Sequence, residues 1–297
     1  MSGTSVLGDW GTSRLRLYRV REGEVVETFV DPDEGALKSD AADVLAQKLA
    51  AWDDAEPIED VTICGMAGAR GALVEAGYGP CPADIETWRR ASSEVAVGRW
   101  AVKVMAGLAC RTARGTGDVM RGEETQVFGA VALDPELGRG ERLIVLPGTH
   151  AKWVWLADGR IERFRTCPTG ELYSLLARQS TLPGAADSAG AGSFDEGFAH
   201  GLERSEEPLA ASLFEARSAR LLDDRSRDWS TGYLSGLLIG NEASTMLAGV
   251  RNCLLIGESA LVDLYGRALS ALGCMAVAID GTAAVIAGLK LAGGTPA

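Results

Sequence analysis

VLGDWGTSRLRLY, residues 6–18, reads as strand, turn, strand. Val6 and Leu7 are apolar, Gly8-Asp9-Trp10-Gly11 makes a tight turn, Thr12 and Ser13 follow, and Leu15 and Leu17 alternate with Arg14 and Arg16. Alternation with period two marks a strand with one covered face. Two glycines let the backbone bend sharply and leave amide N–H groups facing outward, and the hydroxyls of Thr12 and Ser13 add donors. A turn of this kind can hold a phosphate, and Asp9 beside it is a carboxylate placed for Mg2+. Any tight hairpin needs glycine, so one copy decides little.

Residues 143–161, LIVLPGTHAKWVWLADGRI, are a second copy. An apolar strand enters Pro147-Gly148-Thr149, a second strand carries Trp153 and Trp155, and Asp158-Gly159 turns the chain back, much as Gly23 does in the first copy. Two halves that open with one hairpin device suggest two domains gripping a polyphosphate between their turns.

Composition fits that reading. The chain has 297 residues, a length that suggests two domains, with 46% hydrophobic and 24% charged residues. No apolar run is long enough to span a membrane, and MSGTSVLGDW lacks the basic and apolar regions of a signal peptide. Six scattered cysteines without a CxxC pair point to reduced thiols and the cytoplasm, and two histidines exclude a multi-histidine metal site. The net charge of −12 argues against nucleic acid. An anionic ligand would need backbone donors and a few placed cations. The sequence leaves room for a homo-oligomer.

Strands and helices alternate in both halves, the pattern of an α/β protein. The first half reads as a third strand (24–30), a helix (39–52) whose face carries Val44, Leu45, Leu49 and Trp52, a strand (61–64), an irregular insertion or binding loop (77–100), a strand (101–108), a loop (118–121) and a helix (123–133). DPELGRGE is a polar hinge, which sets domains of 1–138 and 139–297. The second half adds a strand (160–166), a helix starting at Gly170-Glu171, a mobile loop (181–200) and helices at 213–222 and 233–250. It closes with a strand (253–256), a helix (259–272), a strand (275–279) and a last helix (281–291).

Within this frame, Glu123 and Glu124 stand at a helix start next to Arg121. Acids there complement the helix dipole, and a carboxylate there can also act as general base toward a substrate hydroxyl attacking a phosphate. Lys152 lies just past the second turn, either as a solvated strand lysine or as a cation for nucleotide phosphates. Gly257-Glu258 ends a strand and opens a helix, a turn able to lie against adenosine and equally the normal end of an α/β unit. The patterns GxxxxGK[ST], GxGxxG after a strand, and GxSxG are absent.

DWGTSRLR, VMRGEETQVFG, VLPGTHAKWV, FRTCPTGEL, LFEARS and LSGLLIGNE, in this order along almost the whole chain, resemble the 2-dehydro-3-deoxygalactonokinase family of the actin, Hsp70 and sugar-kinase superfamily. The resemblance implies two ribonuclease H-like (actin-like ATPase) domains with an interdomain cleft. It also implies transfer of phosphate from ATP, with Mg2+, to the 6-hydroxyl of 2-dehydro-3-deoxy-D-galactonate in galactonate breakdown. Asp9, Gly11, Thr12 and Ser13 are similar to the first phosphate site of such kinases, and Gly148 and Thr149 to the second. Gly257 and Glu258 stand where an adenosine turn would be. GEETQVFG resembles a segment of larger carbohydrate kinases that carries a catalytic aspartate. Glu123 falls at that place with a longer side chain, which leaves the base open between Glu123 and Glu124. The implied substrate carries a carboxylate, for which Arg70, Arg121 and Arg165 are candidates. Arg70 ranks first because the acid and the phosphorylated hydroxyl stand at opposite ends of the sugar chain. The alternatives are a kinase of another 2-keto-3-deoxy sugar acid or of a hexose, a non-catalytic sugar-sensing protein, and a phosphatase acting on polyphosphate or nucleotides.

Overall fold

The opening hairpin forms, but its turn closes at the Gly11–Arg14 hydrogen bond rather than at Gly8-Asp9-Trp10-Gly11, because Gly8, Asp9 and Trp10 stay paired as the end of the first strand. In the computed structural model, which describes residues 3–12, 14–38, 40–54, 56–185 and 190–293, β1 (Thr4–Trp10) and β2 (Leu15–Arg21) pair antiparallel, and β3 (Glu24–Asp31) continues the meander. Val6, Trp10, Leu15 and Leu17 are fully buried. They share a core with Leu45, Leu49 and Trp52 of α1 (Ala41–Asp53) and with Val61 and Ile63 of β4 (Ile58–Gly65), which lies parallel to β1.

The chain continues through β5 (Tyr78–Pro80), α2 (Ile85–Arg90), β6 (Ser92–Val97), β7 (Trp100–Met105), β8 (Gly107–Arg111), β9 (Gly117–Met120) and α3 (Glu123–Leu133). β10 (Glu141–Leu146), β11 (Ala151–Ala157) and β12 (Arg160–Cys167) form the second meander. Then come α4 (Thr169–Gln179), α5 (Phe194–Glu203), α6 (Leu209–Ser212), α7 (Glu215–Leu222) and α8 (Arg227–Leu247). β13 (Asn252–Gly257), α9 (Ser259–Ala271), β14 (Met275–Asp280) and α10 (Gly281–Gly293) complete the fold.

One sheet runs β3-β2-β1-β4-β7-β6 and another β12-β11-β10-β13-β14. The first strand of each meander has a parallel neighbour, β4 beside β1 and β13 beside β10. This is the ribonuclease H-like sheet order, present twice in an α/β chain. A small sheet, β5-β8-β9, is added to the first copy.

Two compact units result: Met1–Arg142 with Val154–Phe164 and Ile279–Ala297, and Leu143–Trp153 with Arg165–Ala278. A single cut near 138 would give the outer part of the second hairpin and α10 to the second half; here both count with the first unit.

Four further segments differ from their sequence reading. Residues 77–100 hold two strands and a helix. β6 is the edge strand beside β7, and Trp88 of α2 is fully buried with its ring 5.1 Å from that of Phe128. Residues 117–120 form β9 against β8, a strand too short to display a period. Within 181–200, α5 begins at a capping box in which Ser193 and Glu196 exchange side-chain and backbone hydrogen bonds. Its glycines read as loop, yet they let backbone approach backbone: a Cβ on Gly197 would stand 2.0 Å from the carbonyl oxygen of Trp229 in α8. Residues 186–189 of that stretch lie outside the described residues. The strand expected over 101–108 is two, β7 and β8, meeting at Ala106.

Candidate active site

Bare backbone brings the first unit's chemistry together. Gly65 ends β4 at φ +84°, and a Cβ there would meet the carbonyl oxygen of Trp10 at 2.6 Å. Gly122 caps α3 at φ +108°, with its own absent Cβ 3.3 Å from the Cα of Gly65. The ends of β1 and β4 and the start of α3 therefore meet where only glycine fits. α3 is fixed from behind by α10: a Cβ on Gly129 would stand 1.8 Å from the oxygen of Ala284, and one on Gly288 2.0 Å from that of Thr125.

Asp9, next to last in β1, is partly covered, its side chain 20% exposed. It lies opposite Arg16 in the β1–β2 register, and Arg16 Nη1 donates to its Oδ2 at 3.0 Å. Burial pushes the Asp9 carboxyl up, the Arg16 charge draws it back, and the negative charge of Glu123 adds to the rise. Burial also pushes the Cys64 thiol well up, reinforced by the charges of Asp9 and Glu124. The Gly11 amide was expected to face outward to a phosphate. It donates instead to the Arg14 carbonyl at 2.8 Å and closes the turn. Thr12 is exposed, and Ser13 lies outside the described residues.

The two glutamates of α3 part company. Glu123 is half-buried, and its Oε2 accepts the backbone N–H of Arg121 at 3.0 Å. Glu124 is fully buried, and both its oxygens lie within 2.9 Å of the Gly122 N–H. Burial, with the Glu123 charge next, pushes the Glu124 carboxyl up to about 8, against the pull of the Gly122 amide. The folded protein thus keeps a proton that the unfolded chain loses from about pH 4.5 upward. Stability from this group is highest below that window, falls as pH rises through it, and carries its full cost above about 8. Glu124→Gln is expected to be the more stable protein at alkaline pH, by up to roughly 4 kcal/mol, and to lose this part of the pH dependence. Thermal melts of both proteins across pH test it; parallel Tm curves would contradict the assignment.

The three candidate arginines have different settings. Arg70 is exposed after the short helical turn Met66–Gly68. Arg165 is exposed on β12 and belongs to the second unit. Arg121 is inserted into the first unit: its Nη2 donates to the Gly77 carbonyl at 2.8 Å, and its Cζ lies 4.2 Å from the centre of the Tyr78 ring.

In the second unit, β10 and β13 run parallel and end side by side. Gly257 lies next to Pro147, a Cβ there standing 3.7 Å from the Pro147 oxygen. The Pro147-Gly148-Thr149 turn and the Gly257-Glu258 turn are thus neighbours at the carboxyl ends of parallel strands, the place where α/β sheets bind ligands. Gly148 has open space where a side chain would be, and its carbonyl packs on Gly170, whose Cβ would stand 2.4 Å away. Thr149 is exposed, and its carbonyl accepts the Glu171 N–H at 2.9 Å. His150 pairs with Glu171 at 2.7 Å. Lys152 is buried rather than solvated, with Nζ donating to the His150 carbonyl at 3.0 Å, so it braces this turn from beneath.

Sequence reasoning missed Arg16 as the partner of Asp9, and it missed Glu242. That buried acid on α8 accepts Trp153 Nε1 at 2.5 Å and the Tyr265 hydroxyl at 2.9 Å, tying β11 to α8 and α9. Its signal was a lone acid in the apolar run LSGLLIGNE.

Among the described residues, no three His, Cys, Asp or Glu side chains gather into a metal cage. A single carboxylate beside a phosphate turn is still what Mg2+ needs when it arrives on nucleotide phosphates, since that ion takes one or two protein carboxylates and keeps its waters. Asp9 fits that part.

Residues 9–292 match the family model described as 2-keto-3-deoxy-galactonokinase. The chain belongs to this family. It is 41% identical to a Rhizobium meliloti (strain 1021) protein named as a probable 2-dehydro-3-deoxygalactonokinase, over 96% of this chain and 94% of that one. It is 33% identical to the 2-dehydro-3-deoxygalactonokinase of Escherichia coli (strain K12), over 98% and 97%. A crystal structure of a Sinorhizobium meliloti protein given the same enzyme name superposes with a TM-score of 0.85 at 39% identity, covering 97% of each chain. Within the first unit of this 2-keto-3-deoxy-galactonokinase family member, Asp9 and the acid at the start of α3 lie close enough for their charges to act on each other.

Proposed function

We propose that this protein is an ATP-dependent, cytoplasmic kinase that phosphorylates 2-dehydro-3-deoxygalactonate on its 6-hydroxyl, in galactonate breakdown. The observation that carries the reading is the half-buried carboxylate of Glu123. It opens α3 close enough to Asp9 for the two charges to act on each other, in a chain of this family. Glu124 is fully covered and occupied by Gly122, which favours Glu123 as the base.

Glu123 takes the proton of the 6-hydroxyl as that oxygen bonds to the γ-phosphorus. The bond from phosphorus to the bridging oxygen breaks, and ADP leaves with the electron pair. Bound Mg2+ supplies charge neutralisation for the phosphates, and Asp9 is the residue that would hold it. The turns at Gly11-Thr12-Ser13 and Gly148-Thr149 bind the phosphates. The first gives the Thr12 hydroxyl rather than the Gly11 amide, and the second the open face of Gly148. Lys152 holds the second turn in shape, and Gly257-Glu258 lies against adenosine. The substrate carboxylate falls to one of Arg70, Arg121 and Arg165.

Thr149→Val is expected to raise the KM for ATP about tenfold, the worth of one hydrogen bond to a charged group, with the sugar-acid KM little changed. Steady-state kinetics in both substrates checks it, and a rise confined to the sugar acid would misplace the turn.

ADP release with a panel of 2-keto-3-deoxy acids and hexoses tests the function. Release that requires the keto acid supports the kinase. Steady ATP hydrolysis without any sugar would favour a phosphatase, and binding without ADP release a sugar-sensing protein.

A further inference from the structure

Arg121 holds buried hydrogen-bond donors that the protein does not satisfy. Its Nε and Nη1 are shielded from solvent and meet no hydrogen-bond partner, while Nη2 is spent on the Gly77 carbonyl. Among the described residues no carboxylate forms an ion pair with it. The guanidinium is nonetheless held in place. The Tyr78 ring lies over it, and a Cβ on Gly68 would stand 2.7 Å from Nη1, so the absence of a side chain at 68 is what makes room. Buried donors of a charged group left without partners are costly, and a rigid, half-bonded guanidinium is suited to an incoming carboxylate.

Placement matters as much as charge. The backbone N–H of Arg121 is bonded by Glu123, yet its side chain leaves toward Gly68, Gly77 and Tyr78. The length of that side chain separates base and cation, although the residues are near neighbours in sequence. Tyr78 is 47% exposed and so is the part of this enclosure that can yield to a ligand. Arg70, first choice on spacing, is an exposed side chain without such an enclosure.

We propose that Arg121 receives the carboxylate of the substrate and so selects acids over neutral sugars. This rests on the kinase reading above. The acid end bonds the Nε and Nη1 donors as Tyr78 shifts, and the far hydroxyl reaches Glu123. A neutral sugar leaves those donors bare, which is the stronger form of discrimination.

The test is kinetics with the keto acid and with its neutral analogue lacking the carboxylate. It is paired with thermal shift by the keto acid in the absence of ATP. Arg121→Gln and Arg121→Lys are expected to raise the keto-acid KM on the order of 10–100-fold, the worth of a hydrogen bond to a charged group, with the ATP KM little changed. On the neutral analogue the variants should match the parent. Arg121→Lys retains the positive charge and serves if Arg121→Gln does not fold. Equal losses on both substrates, or a fall in kcat at unchanged KM, would make Arg121 a structural clamp and overturn the proposal. So would the KM rise appearing in Arg70→Gln instead. If the parent releases no ADP with the keto acid, the kinase reading fails by itself, and thermal shift then decides for Arg121. A shift present in the parent and lost in the variants supports carboxylate binding, and no shift in the parent overturns it.

Discussion

Glu123→Gln is expected to lower kcat by roughly 10²–10⁴-fold, the range for a lost general base, with the KM for ATP close to the parent's. The substitution keeps the shape of the side chain, and the amide oxygen can still accept the Arg121 N–H that the carboxylate accepts at 3.0 Å. Gly122 remains wedged against Gly65, and α3 remains pinned by α10, so the start of the helix should not move. What disappears is the capacity to take a proton. Glu124 cannot stand in, because it is fully covered and bonded to Gly122. Stopped-flow or coupled assays at saturating substrates read the effect. A large loss in Glu124→Gln with Glu123→Gln nearly normal would exchange the two roles.

Asp9→Asn is the second large effect. It should cost on the order of 10²–10³-fold in kcat, the rate equivalent of the several kcal/mol that a bound metal contributes. Extra Mg2+ should restore little. The variant keeps the hydrogen-bond geometry toward Arg16 and removes the negative charge that Asp9 sets against that guanidinium, in a strand whose neighbours are buried. Because the Asp9 carboxyl is pushed up by burial, the neutral amide should not destabilise the fold. Near-normal kcat at saturating Mg2+ would remove Asp9 from the metal.

What the sequence made legible follows from the range of the forces involved. The hairpin at residues 6–18 was readable because Leu15 and Leu17 alternate within one strand and a glycine marks its turn, both local facts. The partner of Asp9 was not, because the pairing with Arg16 depends on where the Gly11–Arg14 hydrogen bond closes the turn. Glu123 and Glu124 were visible as acids at a helix start. Which of them is covered depends on Gly122 packing against Gly65, a contact between segments far apart in the chain. β9 and the elements of 77–100 are too short for periodicity to show. α5 did carry a local signal, the Ser193–Glu196 capping box, hidden among small residues that looked like loop. The spacing argument for Arg70 failed to weigh how far the Arg121 side chain reaches.

The most direct measurement is the product itself. ATP and 2-dehydro-3-deoxygalactonate are incubated with the protein, and the sugar product is examined by phosphorus–proton correlated NMR. The account predicts one equivalent of ADP per phosphorylated sugar, with phosphorus coupled to the protons of C6. Phosphate on another carbon, or inorganic phosphate accumulating with the keto acid unchanged, would contradict it.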